Sequence, residues 1–191
     1  MRRANLSSRQ VIAASGTLCA AALACTGILV ASGSSAAAAT PSCASSGLVV
    51  WLDTNGNGTA GSIYYNLEFT NLSRHACTLV GYPGVSGVNL AGHQLGSAAS
   101  RNNAHGSSVI TLAGATIANT AGATATVVLR IVEADNFPMS SCRQVNAGGL
   151  RVYPPGQTAS KLVPFPFRAC SRSGPGYLSV EAVQKGIITN G

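Results

Sequence analysis

The chain predicts an all-β domain, an immunoglobulin-like antiparallel β-sandwich stabilised by disulfides. Three observations predict it. Runs of alternating apolar and polar residues recur along the chain, most clearly over 62–70 and 123–133. Gly, Pro, Asn and Asp separate these runs at short intervals, as in domains built from many short strands. No apolar run of helical period has a useful length, and four cysteines lie beyond the leader, an even number that reads as disulfides in an exported chain.

The leader comes first. Residues 1–10 are basic, 11–31 are apolar, and 34–39 are small. That order is a signal peptide with cleavage expected after Ala39. The expected organisation is therefore a signal peptide over 1–39 and a single β-sandwich domain over 40–191. An uncleaved anchor is the competing reading, because the apolar run is long for a signal. Arg2-Arg3 with Leu6 weakly suggests twin-arginine export. Cys25 follows Ala22-Leu23-Ala24, but Leu23 is one place late for a lipoprotein box and an apolar run follows. The expected location is secreted, extracellular or in the cell envelope, with no stable membrane span after cleavage.

The strands follow in order. Residues 47–53 form the first, with Trp51 placed in the core by its company of Val49, Val50 and Leu52. A Gly/Asn loop over 53–61 leads to 62–70, where Ile63, Tyr65, Leu67 and Phe69 face one way and Tyr64, Asn66, Glu68 and Thr70 the other. A half-buried strand is expected there. Residues 77–82 are extended, since Pro83 keeps Tyr82 out of the helical region. Pro83 and Gly84 then suit the central positions of a type II turn, with Gly84 supplying the positive φ. The chain returns over 85–90, and Gln94-Leu95 pairs back as a hairpin. A loop over 96–106 precedes strands at 107–112 and 123–133. After a loop over 134–141, a short strand at 150–153 stops at Pro154-Pro155-Gly156. Pro164 and Pro166 confine 161–167 to a sheet edge, and 177–183 closes the domain.

Cys43, Cys77, Cys142 and Cys170 allow three pairings. Cys43–Cys77 would pin the N-terminal end to the sheet, and Cys142–Cys170 would staple the Pro-rich edge. The crossed pairings close longer loops at only about 1 kcal/mol of extra entropy, so loop entropy leaves them open.

Composition narrows the function classes. Only 9% of residues are charged, against about a quarter in ordinary domains, so ionisable groups for catalysis are scarce. Arg2, Arg3 and Arg9 belong to the leader, which lowers the net charge from +7 to +4. The remaining cations are scattered, without the basic stripe and stacking aromatics of a nucleic-acid site. No nucleic-acid partner is expected.

Several segments together carry a family resemblance. They are Ala60-Gly61 before the strand ending Phe69-Thr70-Asn71, then Cys77-Thr78-Leu79-Val80-Gly81-Tyr82-Pro83-Gly84, and last Leu150-Arg151-Val152-Tyr153-Pro154-Pro155-Gly156. In this order the chain resembles a family of actinobacterial secreted proteins and lipoproteins known as a domain of unknown function. The C-T-L-x-G-Y-P-G core is its most specific part. Two departures stand out: Gly114 leads into Ala-Thr-Ile-Ala-Asn-Thr-Ala instead of straight into a strand, and no lipid-anchored start is evident. The resemblance implies a small β-sandwich outside the membrane and no known reaction.

The candidate chemistry is thin. Asp53-Thr54-Asn55-Gly56-Asn57-Gly58 opens like a calcium loop, but Tyr64 stands where the bidentate Glu belongs. No C-x-x-C or H-x-x-x-H spacing suggests zinc, and no G-x-S-x-G elbow occurs. His75, His93 and His105 all sit in polar, turn-like contexts. No metal, cofactor or catalytic residue is assigned. The reading is a non-catalytic exported module that binds an envelope component or another protein. A small secreted hydrolase is the alternative, to be distinguished by a pocket holding a His within reach of Ser or a carboxylate.

Overall fold

The computed structural model describes residues 38–188. The leader expected over 1–39 therefore lies outside the described residues as far as residue 37. The described chain is an all-β, sandwich-like fold of twelve strands: β1 (Leu48–Thr59), β2 (Ser62–Asn71), β3 (Cys77–Leu79), β4 (Gly84–Val88), β5 (Gln94–Leu95), β6 (Ser100–Arg101), β7 (Ile110–Leu112), β8 (Thr124–Val132), β9 (Gln144–Tyr153), β10 (Lys161–Cys170), β11 (Leu178–Val180) and β12 (Gln184–Lys185). One sheet runs β1-β2-β8-β11-β6, with β12 also pairing β8. A second runs β10-β9-β4-β5, and β3 pairs β7 separately. Among the paired strands, β11 and β6 alone run parallel.

Alternation explains the core. Leu67 and Phe69 of β2, Ala125, Val127 and Leu129 of β8, and Leu150 and Val152 of β9 are all fully buried and belong to one cluster. Each lies on the inward side of a period-two strand. Aromatic rings bridge the two sheets: Tyr65 of β2 meets Phe165 of β10 edge-on, with ring centroids 5.0 Å apart. Tyr177, also fully buried, donates its hydroxyl to the Leu95 carbonyl at 2.8 Å.

Two disulfides fasten the ends. Cys43 and Cys77 are joined, with Cα atoms 4.8 Å apart. Around them Cys43 N donates to Thr78 O at 2.9 Å and Thr78 N to Pro41 O at 2.8 Å, so the segment before β1 is held along β3. Cys142 and Cys170 are joined with Cα atoms 4.5 Å apart. That bridge ties α1 (Met139–Cys142) to the end of β10.

The structure corrects several expectations; the strand expected at 150–153 begins already at Gln144, and the loop expected over 96–106 carries β6. The Gly/Asn stretch after Asp53 is strand, not loop: β1 runs on to Thr59 through an irregularity between Asp53 and Asn57. Ala60 and Gly61, with φ of 38° and 77°, close it onto β2 as a two-residue hairpin. That turn needs positive φ at both positions, which Gly supplies without strain. Trp51 is 43% exposed rather than core. β1 is an edge strand whose inward side is taken by Leu48, Val50 and Leu52, so alternation turns Trp51 outward.

The outer side of β2 is buried too. Asn66, Glu68 and Thr70 are 0%, 1% and 6% exposed. The C-terminal run lies against this face: Thr126 Oγ1 donates to Gly186 O at 2.7 Å, and Asn66 Nδ2 donates to Ile188 O.

Pro83 and Gly84 do not form the expected type II turn. Gly84 opens β4 without a positive φ, whereas Gly81 has φ 90°. The reason is topological. β3 and β4 belong to different sheets, so residues 80–83 carry the chain across rather than back. Substitution effects follow the backbone. Nothing lies within 4 Å of a Cβ placed on Gly81, so Gly81→Val is expected to cost about 1–2 kcal/mol through φ strain. A Cβ on Gly84 would meet Tyr153 Cβ at an ordinary 3.5 Å, so Gly84→Val is expected to leave the melting temperature nearly unchanged. Thermal unfolding of the two variants checks the assignment.

Candidate functional site

One cleft holds about 320 Å³. It lies where β2 and β8 of one sheet meet β10 of the other. Ile63 and Tyr65 contribute from β2, Ile131 from β8, and Phe167 and Arg168 from β10; Glu133, Ala134 and Asp135 follow β8. Local sequence explains the opening. Pro164 and Pro166 have no N–H to give to the β9 ladder, and the register slips between Pro164 and Phe167. Phe165 and Phe167 remain on the inward side, their centroids 5.9 Å apart and their planes 26° from parallel. Phe167 continues the aromatic row to Tyr177 at 6.4 Å.

The rim is polar. Glu133 and Asp135 bring carboxylates, and Arg168 brings a guanidinium. Arg168 is held in place by Gln144 Oε1 at 2.9 Å and Asn146 Oδ1 at 3.2 Å, both from β9. Burial pushes the Tyr65 phenol above its ordinary value. Apolar ring walls with a few polar groups at the mouth suit binding of an amphipathic group. The lining contains no Ser, Cys or His.

A cleft of about 290 Å³ shares Phe167 and Arg168, and two further clefts lie elsewhere. One of about 230 Å³ is almost wholly apolar, lined by Leu90, Leu150, Leu162 and their neighbours. Another of about 210 Å³ brings His75 near Ser42, Ser46 and Ser73 beside the Cys43–Cys77 bridge. There the Ser73 hydroxyl lies 2.7 Å from Asn71 Oδ1 and 2.9 Å from the His75 carbonyl. Those contacts shape the turn after β2. Among the described residues, His105 Nε2 approaches Glu181 Oε2 at 3.5 Å, on a surface where His105 is 63% exposed. His105 lines none of these clefts.

The sequence-assigned residues are thus structural in placement. The four cysteines sit in the two bridges, and Pro83 is buried at the crossover into β4. Sequence reading missed the cleft. Tyr65, Ile131 and Phe167 lie on three separate strands, and nothing local shows that the β10 irregularity sets them together.

One acid is unusual. Burial raises the Glu68 carboxyl above its ordinary value of 4.5, and the charge of Asp53 raises it further. The folded protein therefore holds this proton more tightly than the unfolded chain. The stability it contributes is full below the ordinary value and is lost as pH rises through the folded one. Glu68→Gln is expected to flatten the resulting decline, read as melting temperature against pH over roughly pH 4 to 8.

A family model described as Domain of unknown function (DUF4232) matches residues 43–184. The chain belongs to this family. No curated protein and no solved structure matches it. The DUF4232 match runs from Cys43 to Gln184, so both disulfides and every lining residue of the cleft between β2, β8 and β10 lie inside the domain. Among the described residues of this DUF4232 chain, no helix is long and apolar enough to cross a membrane.

Proposed function

We propose that this chain is an exported, non-catalytic binding module of the cell envelope or extracellular space. Its partner is an envelope component or another protein, and the cleft between β2, β8 and β10 receives an apolar or ring-bearing part of it. One observation carries the reading: the cleft is walled by Ile63, Tyr65, Ile131 and Phe167 and rimmed by Glu133, Asp135 and Arg168, a lining suited to bind and orient an apolar or ring-bearing group. The two disulfides fit an oxidising compartment. Bacterial export, as the basic-apolar-small leader implies, would deliver the domain there.

The hydrolase reading has one observation to stand on, the His105–Glu181 approach. A working site there would need a serine or water positioned by His105.

The test is capture from an envelope extract on the immobilised protein, with bound material identified by mass spectrometry. Phe167→Ala is expected to lose the captured component, while Leu162→Ala, on the apolar groove, retains it. Capture unaffected by Phe167→Ala would overturn the cleft assignment. Turnover of ester, amide or glycoside substrates that disappears in His105→Ala would overturn the non-catalytic reading.

A further inference from the structure

A second group of side chains lies on the other face of the β1–β2–β8 sheet, apart from the cleft. Asp53 pairs with Asn66, and Trp51 pairs with Glu68, across β1 and β2. Directly paired residues share a face, and residues two apart on one strand share it too. Asp53, Asn66 and Glu68 therefore project together from the outer side.

Two of these side chains are buried with unanswered acceptors. Asn66 is 0% exposed and Glu68 1%, and Asn66 Oδ1 and Glu68 Oε2 have no hydrogen-bond partner. The Asn66 amide cannot simply be turned round. Its Nδ2 donates to the Ile188 carbonyl, and a flip would set oxygen against oxygen. Its Oδ1 is thereby held away from Ile188. A buried acceptor left unmet costs free energy, and here two stand on adjacent positions of one face.

Asp53 adds a third acceptor group, a carboxylate, to this face. Its Oδ1 accepts from the Asn55 backbone and side-chain amides, both at 3.0 Å, which leaves Oδ2 for a ligand. No lysine or arginine forms an ion pair with Asp53 or Glu68 among the described residues; the one ion pair shown is His105–Glu181. Two carboxylates and an amide oxygen on one face lack a positive partner. Among the described residues no three His, Cys, Asp or Glu gather as a metal cluster, and this set differs by taking an amide oxygen as its third donor.

We propose that Asp53, Asn66 and Glu68 form a binding site for a hard divalent cation of calcium's class. All three donors are oxygens, which hard cations take in preference to nitrogen or sulfur. The cation would satisfy both orphaned acceptors and neutralise the Asp53–Glu68 repulsion. It would also brace the C-terminal run Gly186–Ile188 against the sheet through Asn66. Two carboxylates support only weak binding, with a Kd of roughly 0.1–1 mM, the range of extracellular calcium modules.

Trp51 supplies the test. It is the single tryptophan of the chain and sits directly opposite Glu68. Terbium titrated into the purified protein, with tryptophan excited, is expected to give sensitised emission that saturates and that calcium at up to about 10 mM displaces. Asp53→Asn and Glu68→Gln are each expected to weaken terbium and calcium binding about tenfold or more. Asp135→Asn, at the cleft rim, should leave both unchanged. Asp53 is half-buried on an edge strand, so Asp53→Asn keeps the test decisive if Glu68→Gln fails to fold. Calcium should also raise the melting temperature of the parent protein and not that of Asp53→Asn. Absence of sensitised emission, emission that calcium does not displace, or equal affinity in Asp53→Asn would each overturn the site. None of these outcomes bears on the cleft, whose test is capture by Phe167.

Discussion

Phe69→Ala is expected to destabilise the protein by about 3–5 kcal/mol, the range for deleting a buried phenyl ring. Phe69 is 0% exposed and sits on β2, between β1 and β8. Its registered partners are Val50 on one side and Ala125 on the other. Ala125 is small and fully buried, and so is Ala123 just before β8. The ring belongs to the same core cluster as Ala125. Truncating it opens a cavity that alanine neighbours cannot reach across, so relaxation recovers little of the lost contact. Chemical denaturation measures the effect as a lower midpoint at unchanged slope. Val49→Ala, on the exposed side of β1, serves as the comparison and should change stability by less than about 0.5 kcal/mol. Equal effects at the two positions would contradict the inward assignment of Phe69.

Removing the Cys142–Cys170 bridge, as Cys142→Ala with Cys170→Ala, is expected to cost about 2–5 kcal/mol. The bridge spans 28 residues, and loop entropy for that length is worth about 3.5 kcal/mol. Both cysteines are fully buried, so packing is lost along with the crosslink. The bridge also guards a thin part of the ladder. Beyond it, Ser171 N donates to Arg143 O at 3.0 Å and Arg172 N to Cys142 O at 3.1 Å. Arg143 itself holds a φ of 47°, a conformation that a non-glycine residue keeps only when its surroundings enforce it. Without the bridge, fraying should begin at the end of β10. Amide exchange would show it as faster exchange at Ser171 and Arg172 than in β2. An unchanged denaturation midpoint would mean that the crosslink adds nothing to the fold.

Much of the all-β class was legible along the chain, because period-two burial is a local property. Ile63, Tyr65, Leu67 and Phe69 announce an inward face whatever lies opposite, and the Ala125, Val127 and Leu129 series does the same. The Gln94-Leu95 return to β4 was legible for a related reason: Asn89 to Gly92 is a compact turn whose chemistry needs only its own residues. Cysteine number and the leader pattern pointed to disulfides without any knowledge of the sheets.

Distance in sequence hid the rest. Whether Gly84 or Gly81 takes the positive φ depends on β3 and β4 lying in different sheets, which no nine-residue window contains. Trp51 reads as core among its apolar neighbours, and only its place on an edge strand turns it out. Glu68 reads as the solvent side of a half-buried strand until Gly186–Ile188, more than 100 residues later, lies across it. The cleft likewise joins β2, β8 and β10 through an irregularity whose prolines were visible but whose consequence was not. Local alternation tells a side chain which of two faces it takes, and long-range pairing alone says what covers that face.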